Sequence, residues 1–234
     1  MQHRQTANSD NMVADLKITV LFRAVVFDLD GTLTDTEHVF QESWKKAVSE
    51  FGYHLKPEMG LLLRSLGHPY VNNQFKQWFG EDCDYLSIKK LCHRYFQIAT
   101  EQKGIVLKPG AQQLLSKLKE KNMTIALATS GNLERVVGCL ERTNIIQYFD
   151  TLICADMVER GKPAPDTYLY ACRQLGLEPE NVLAIEDSPN GVKSAYAAGC
   201  KVIMVPDLTE PDDELLSMLF KCADSLDAII GCIG

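Results

Sequence analysis

Val25-Val26-Phe27-Asp28-Leu29-Asp30-Gly31-Thr32-Leu33-Thr34-Asp35 is the stretch on which the fold turns. It closes an apolar, β-branched run from Ile18 to Phe27, broken only by Arg23. A continuous apolar run predicts a strand buried on both faces, as in a parallel sheet. Gly31 breaks the strand and Thr32 to Asp35 begin a turn. Ligands of open α/β sheets bind just outside the carboxyl ends of the strands, where Asp28 and Asp30 fall. Their spacing of two puts both on one side of an ideal strand, with Leu29 on the other. Adjacent carboxylates repel, so one is more easily protonated. Such a pair suits chemistry that needs one ionised acid and one proton donor. A bound cation would hold the first ionised. Asp-x-Asp-Gly also begins calcium loops and plain turns. An EF-hand loop needs a further acidic ligand at its third position and Glu at its twelfth, where this chain has Thr32 and Gln41.

Downstream the period changes. Phe40, Trp44, Ala47, Val48 and Phe51 recur at helical spacing, and Thr36 or Asp35 can cap that helix. Short apolar helices follow over Met59 to Leu66 and Tyr70 to Phe79, then a longer amphipathic one carrying Tyr85, Ile88, Cys92, Tyr95 and Ala99. Residues from about 37 to 106 therefore read as an all-helical block. Beyond it, Lys108-Pro109-Gly110 starts a helix, and strands are expected over Met123 to Ala128, Thr151 to Cys154, Asn181 to Ile185 and Lys201 to Val205. Helices alternate with them near Leu133 to Arg142, Thr167 to Gln174 and Gly191 to Ala198, with a last one over Ala223 to Ile230. Alternation of this kind predicts an α/β, doubly wound parallel sheet, with the helical block inserted after its first strand. The expected division is a flexible tail over 1–17, a core of 18–36 and 107–234, and a helical cap of 37–106.

The chain has 234 residues, 46% of them hydrophobic, enough for one large domain or two small ones. A net charge of −7 argues against a broad nucleic-acid surface. The eight cysteines contain no Cys-x-x-Cys pair and read as buried thiols in a reducing compartment. No run is long enough for a membrane span, and the polar start lacks the apolar centre of a signal peptide. A soluble, cytoplasmic monomer is expected, with neither nucleic acid nor membrane as partner.

Three later stretches share the position of the acidic pair. Thr129-Ser130-Gly131 suits a phosphate oxygen near a helix N-terminus, or is an ordinary cap. Lys162, between Gly161 and Pro163, is a point charge suited to phosphate, or a surface lysine. Glu186-Asp187 can hold Mg²⁺, or favour a helix N-terminus. Taken together they supply what phosphoryl transfer requires, positioning and neutralisation of charge. An ionised Asp can attack phosphorus and split one hard step into two.

Phe27 to Asp35, Ala128-Thr129-Ser130, Gly161-Lys162-Pro163-Ala164-Pro165-Asp166 and Ile185-Glu186-Asp187-Ser188-Pro189-Asn190-Gly191 together resemble the four motifs of haloacid dehalogenase-like hydrolases. The helical block is similar to the cap of the subgroup that contains β-phosphoglucomutase and sugar-phosphate phosphatases. The resemblance implies that Asp28 is the nucleophile and Asp30 the general acid and then base, its carbonyl binding Mg²⁺. It implies that Ser130, with Thr129 and Gly131, binds the phosphoryl group beside Lys162. Asp187 would ligate Mg²⁺, and Glu186 would ligate or orient it. A second aspartate two residues after the first points to phosphatase or phosphomutase chemistry rather than dehalogenation. β-Phosphoglucomutases carry a His four residues after the position of Thr36, and Phe40 stands there, so hydrolysis of a small phosphorylated metabolite, a sugar phosphate first, is the expected activity. The alternatives are a mutase and a non-catalytic phospho-ligand binder. Arg64, Ser65, His68 and Tyr70 lie at a helix break where a lid could touch substrate, Arg64 and His68 foremost, or where the loop merely connects. His54 and His93 read as surface or packing residues.

Overall fold

The computed structural model describes residues 18–233; the expected tail over 1–17 lies outside them. Six strands form one sheet: β1 (Ala24–Phe27), β2 (Thr124–Ala128), β3 (Thr151–Ile153), β4 (Val182–Glu186), β5 (Lys201–Met204) and β6 (Lys221–Cys222). Their order is β3-β2-β1-β4-β5-β6, and every pairing is parallel. The expected α/β doubly wound sheet is thus present. The order reverses beside β1, the place where such sheets bind ligands.

Strand alternation builds two cores from the same residues. Val25, Phe27, Ile125, Leu127, Leu183 and Ile185 point to one face, against α1 (Ile18–Leu21), α6 (Ala111–Glu120), α7 (Leu133–Arg142) and α11 (Leu226–Ile230). Ala24, Val26, Ala126, Ala128, Val182 and Ala184 point to the other, against α8 (Asp166–Leu175), α9 (Pro189–Ala197) and α10 (Asp213–Met218).

The expected strand from Ile18 is shorter in the structure. Ile18–Leu21 is a helical turn, closed by the Phe22 amide on the Ile18 carbonyl, and only Ala24–Phe27 pair in the sheet. Apolar runs do not by themselves distinguish a buried strand from a buried helix. Between β1 and α6 come α2 (Glu37–Glu50), α3 (Pro57–Leu62), α4 (Tyr70–Phe79) and α5 (Tyr85–Lys103). They share a third core centred on Phe75, whose ring lies 5.3 Å from Trp44 and 5.1 Å from Tyr85. The helix expected over Met59 to Leu66 ends earlier, at Leu62, before Ser65 takes a left-handed φ of 53°.

Candidate active site

Strand register brings the acids together. Phe27 pairs with Leu127 on one side and Ile185 on the other, and the Asp28 amide continues the ladder to the Ile185 carbonyl at 3.0 Å. Asp28 therefore emerges beside Glu186. One carboxylate oxygen from each of Asp28, Glu186 and Asp187 falls within 4.8 Å of the others, and all three residues are buried. Lys162, with no solvent exposure, donates to Asp28 Oδ1 and to Glu186 Oε1, each at 2.5 Å. The Tyr168 hydroxyl donates to Glu186 Oε1 at 2.6 Å.

The Lys162 ammonium and the Arg64 guanidinium do not balance the buried acids Asp28, Glu37, Glu186 and Asp187. Burial pushes the Asp28 carboxyl up, although Lys162 opposes it. Burial likewise carries Glu186 up to about 8, against the pull of Lys162, and Asp187 up to about 7, against the pull of Arg64. For Lys162, burial disfavours the charge, but Asp28 and Glu186 outweigh it and its pKa is raised. Asp28 Oδ2 and Glu186 Oε2 are buried without a hydrogen-bond partner, a costly state for carboxylate oxygens. A hard cation with oxygen ligands would satisfy both and keep the acids ionised. The donor set therefore fits a metal.

Gly31 makes room for the cluster. It has a φ of +90°, and a side chain there would run into the Asp187 carboxyl and the Glu37 side chain. Asp187 Oδ1 accepts from the Thr32 hydroxyl at 3.0 Å, and Oδ2 from the guanidinium of Arg64. Arg64 enters from the loop after α3 and is buried. Its Nη1 donates to Thr209 Oγ1 at 3.0 Å, and its Nε lies 3.8 Å from Glu37 Oε2. Burial, with Asp187 beside it, pushes Glu37 well above the carboxylate range.

The Asp30 side chain points elsewhere than an ideal strand would place it, because β1 stops at Phe27. It receives a two-pronged bond from Arg135, at 3.0 and 2.6 Å, and the Thr36 hydroxyl at 2.7 Å. Its carboxylate is thus separate from the metal-fitted cluster. The Arg135 guanidinium lies 5.1 Å from the Phe40 ring and 5.5 Å from the Phe96 ring, and those rings stack at 4.0 Å. Arg135 carries no motif in the sequence; only its place in the first turn of α7 marks it.

Asn132, not Thr129 or Ser130, caps α7 by accepting the Arg135 amide at 3.1 Å. Thr129 Oγ1 accepts the Gly131 amide at 3.1 Å, and the Ser130 hydroxyl donates to the Ser65 carbonyl at 2.8 Å. The helical insert is laced to the Lys162 loop by Gly67 N–H to the Lys162 carbonyl at 2.8 Å and Gly161 N–H to the His68 carbonyl at 2.7 Å. Between insert and sheet lies a cavity of about 470 Å³. Asp28, Asp30, Arg64, His68, Thr129, Ser130 and Gly131 all line it; Lys162, Glu186 and Asp187 are buried and do not. His93, expected to be a surface or packing residue, also faces this cavity. Tyr70 does not line it.

A parallel sheet reversing at β1, a helical insert after that strand and a buried acid cluster at the strand ends define a doubly wound α/β protein with a candidate cation site. The chain belongs to the haloacid dehalogenase-like hydrolases, whose family model matches residues 25–205. It is 34% identical over 209 residues to hexitol phosphatase A of Escherichia coli, covering 84% of this chain and 91% of that one. It is 32% identical over 203 residues to protein CbbY of Rhodobacter capsulatus, covering 82% and 88%. The crystal structure of a CbbY mutant from Rhodobacter sphaeroides in complex with xylulose-(1,5)bisphosphate superposes with a TM-score of 0.76 at 26% identity, covering 88% of this chain and 95% of that one.

Proposed function

We propose that this chain is a Mg²⁺-dependent phosphatase that hydrolyses a phosphorylated sugar or similar small metabolite through an aspartyl-phosphate on Asp28. The observation that carries the reading is the pair of unpartnered buried oxygens on Asp28 and Glu186 beside Lys162 and Asp187. Relatives named for phosphatase activity on hexitols and phosphorylated carbohydrates support the substrate class.

Asp28, Glu186 and Asp187, with the Asp30 carbonyl, would hold Mg²⁺, which would offset the repulsion between carboxylate and phosphate. An oxygen of Asp28 forms a bond to phosphorus as the ester oxygen leaves, and Asp30, released from Arg135 and protonated, supplies the proton to that alkoxide. Asp30 then takes a proton from water as the water oxygen bonds to phosphorus and the Asp28–phosphorus bond breaks. Free phosphate and the original carboxylate result. Lys162 orients Asp28 and shields its charge. Thr129, Ser130 and Gly131 receive phosphoryl oxygens once Ser130 releases the Ser65 carbonyl. Residues 37–106 act as a cap over the core of 18–36 and 107–234, with Arg64 and His68 on its substrate side. All eight cysteines are free, which suits a cytoplasmic setting.

The test is phosphate release from a panel of small phosphomonoesters with Mg²⁺ and with chelator. Mg²⁺-dependent release that Asp28→Asn lowers by about 10³-fold or more, with an unchanged circular dichroism spectrum, is expected. Isomerisation of β-glucose 1-phosphate without net release would replace hydrolysis by mutase chemistry. Phe40, stacked under Arg135 where mutases of this resemblance carry His, speaks against that result.

A further inference from the structure

We infer that Tyr168 is a positioning residue of this site: its hydroxyl and the Lys162 ammonium together fix Glu186 by one oxygen, so that Glu186 Oε2 is left for Mg²⁺. This rests on the Mg²⁺-dependent reading of the same site and assigns it a further residue.

Tyr168 stands in the first turn of α8, the helix that follows the Lys162 loop, and has no solvent exposure. Its hydroxyl donates to Glu186 Oε1 at 2.6 Å, the same oxygen that takes Lys162 at 2.5 Å. Oε2 of that carboxylate is buried with no partner. Two donors from two elements thus crowd one oxygen and leave the other bare. A carboxylate that served only to neutralise Lys162 would be better satisfied with one donor on each oxygen. Holding one oxygen by hydrogen bonds and keeping the other back is how a carboxylate is oriented toward a cation.

The last torsion of a Glu side chain is soft and roughly two-fold. A single ammonium leaves it free to turn, and Lys162 is shared with Asp28 Oδ1 at 2.5 Å. A second donor, entering from α8, stops the two oxygens from exchanging. A phenol suits that task. With an ordinary pKa of about 10 it is a donor at neutral pH, and it brings no charge to compete with a cation. The ring acts on the other partner. Lys162 Nζ lies 5.4 Å from its centroid, so the ring backs the ammonium that bonds to Asp28. A buried phenol needs an acceptor wherever it sits. Here the acceptor is one of the three acids that bring an oxygen each within 4.8 Å of the others.

The experiment is calorimetry of Mg²⁺ binding, without substrate, to wild type, Tyr168→Phe and Tyr170→Phe. Tyr168→Phe keeps the ring and leaves Lys162 on Oε1, so the circular dichroism spectrum should be that of wild type. Tyr170 is the control on the same helix, with its ring 5.5 Å from the Arg173 guanidinium. Partners of metal ligands are worth about 10–100-fold in metal affinity. Tyr168→Phe should therefore weaken Mg²⁺ binding about tenfold or more, and Tyr170→Phe by less than about twofold. With p-nitrophenyl phosphate, Tyr168→Phe should raise the Mg²⁺ concentration at half-maximal rate by the same factor. Its KM at saturating Mg²⁺ should change by less than about twofold. A folded Tyr168→Phe that binds Mg²⁺ as wild type does, or equal losses in both variants, would overturn the positioning role. So would a KM that rises as much as the Mg²⁺ constant, which would place the hydroxyl's effect on the substrate. A wild type that binds no Mg²⁺ would overturn the metal reading and the role with it. Mg²⁺ binding that depends on Tyr168, with no turnover of any phosphomonoester by wild type, would sink the phosphatase reading and leave the positioning role standing.

Discussion

Lys162 is the single cation placed between Asp28 and Glu186, and its removal leaves two buried carboxylates facing each other. Breaking a buried pair from one side costs about 3–5 kcal/mol. Lys162→Met should lose stability on that scale in urea unfolding with chelator present, and recover part of it when Mg²⁺ supplies the missing charge. Turnover should fall by about 10²-fold or more, since a preorganised donor to the reacting carboxylate is gone. A variant as stable as wild type in chelator would show that the acids share a proton instead. His93 gives the residue-scale pH effect. Its native pKa of about 4 lies below its ordinary 6.5, lowered by burial, Lys89 and Arg135 and partly restored by Asp30. As pH falls from 6.5 to 4 the unfolded chain takes up a proton that the native chain does not. The stability that neutral His93 contributes is therefore present above pH 6.5 and lost across that window. His93→Gln should flatten the fall in unfolding free energy between pH 7 and pH 4.5, measured against wild type. At this scale Asp28, Lys162, Glu186 and Asp187 were readable because motif spacing and strand ends place them. Arg135, Tyr168 and His93 were not, because each reaches the site through packing of helices far apart in sequence.

Two glycine-bearing loops set how the insert meets the sheet. A side chain on Gly67 would meet the Gly161 backbone, and one on Gly161 would meet Gly67 in return. That contact permits the two backbone bonds that lace the insert loop to the Lys162 loop. Gly67→Ala should push the loops apart at a cost of about 1–3 kcal/mol and lower kcat/KM by displacing Lys162, while the sheet keeps its circular dichroism signature. Unchanged kinetics would show that the lacing does not position Lys162. Among elements, α4 and α7 agree with their expected bounds, because strong apolar spacing and terminal glycine or Asn signals mark them. β6 went unread: Lys221 and Cys222 are exposed edge residues without an apolar run. The same holds for α10, whose Asp212 cap bond to the Leu215 amide is its clearest mark. For β1, the apolar run showed burial but not where helix gave way to strand.

On the scale of the molecule, the closed arrangement is an electrostatic one. The sheet's carboxyl edge gathers Asp28, Glu186, Asp187 and Asp207, Glu37 at the start of the insert joins them, and the insert answers with Arg64. Its guanidinium bonds to Asp187, sits by Glu37 and comes within 4.0 Å of Asp207. A cation bound on Asp187 and the Arg64 guanidinium repel each other, since like charges at such separations interact strongly in a buried setting. Insert closure through Arg64 and metal binding should therefore oppose one another when no substrate phosphate lies between them. Arg64→Gln removes the competitor. It should bind Mg²⁺ several-fold more tightly than wild type by calorimetry. In chelator it should open, because hydrating three acids is cheaper than burying them unpaired, and small-angle scattering should record a larger radius of gyration. Wild type in chelator should stay compact. Weaker Mg²⁺ binding in Arg64→Gln would mean that the guanidinium holds Asp187 in its ligating pose, and that closure and metal binding act in the same direction.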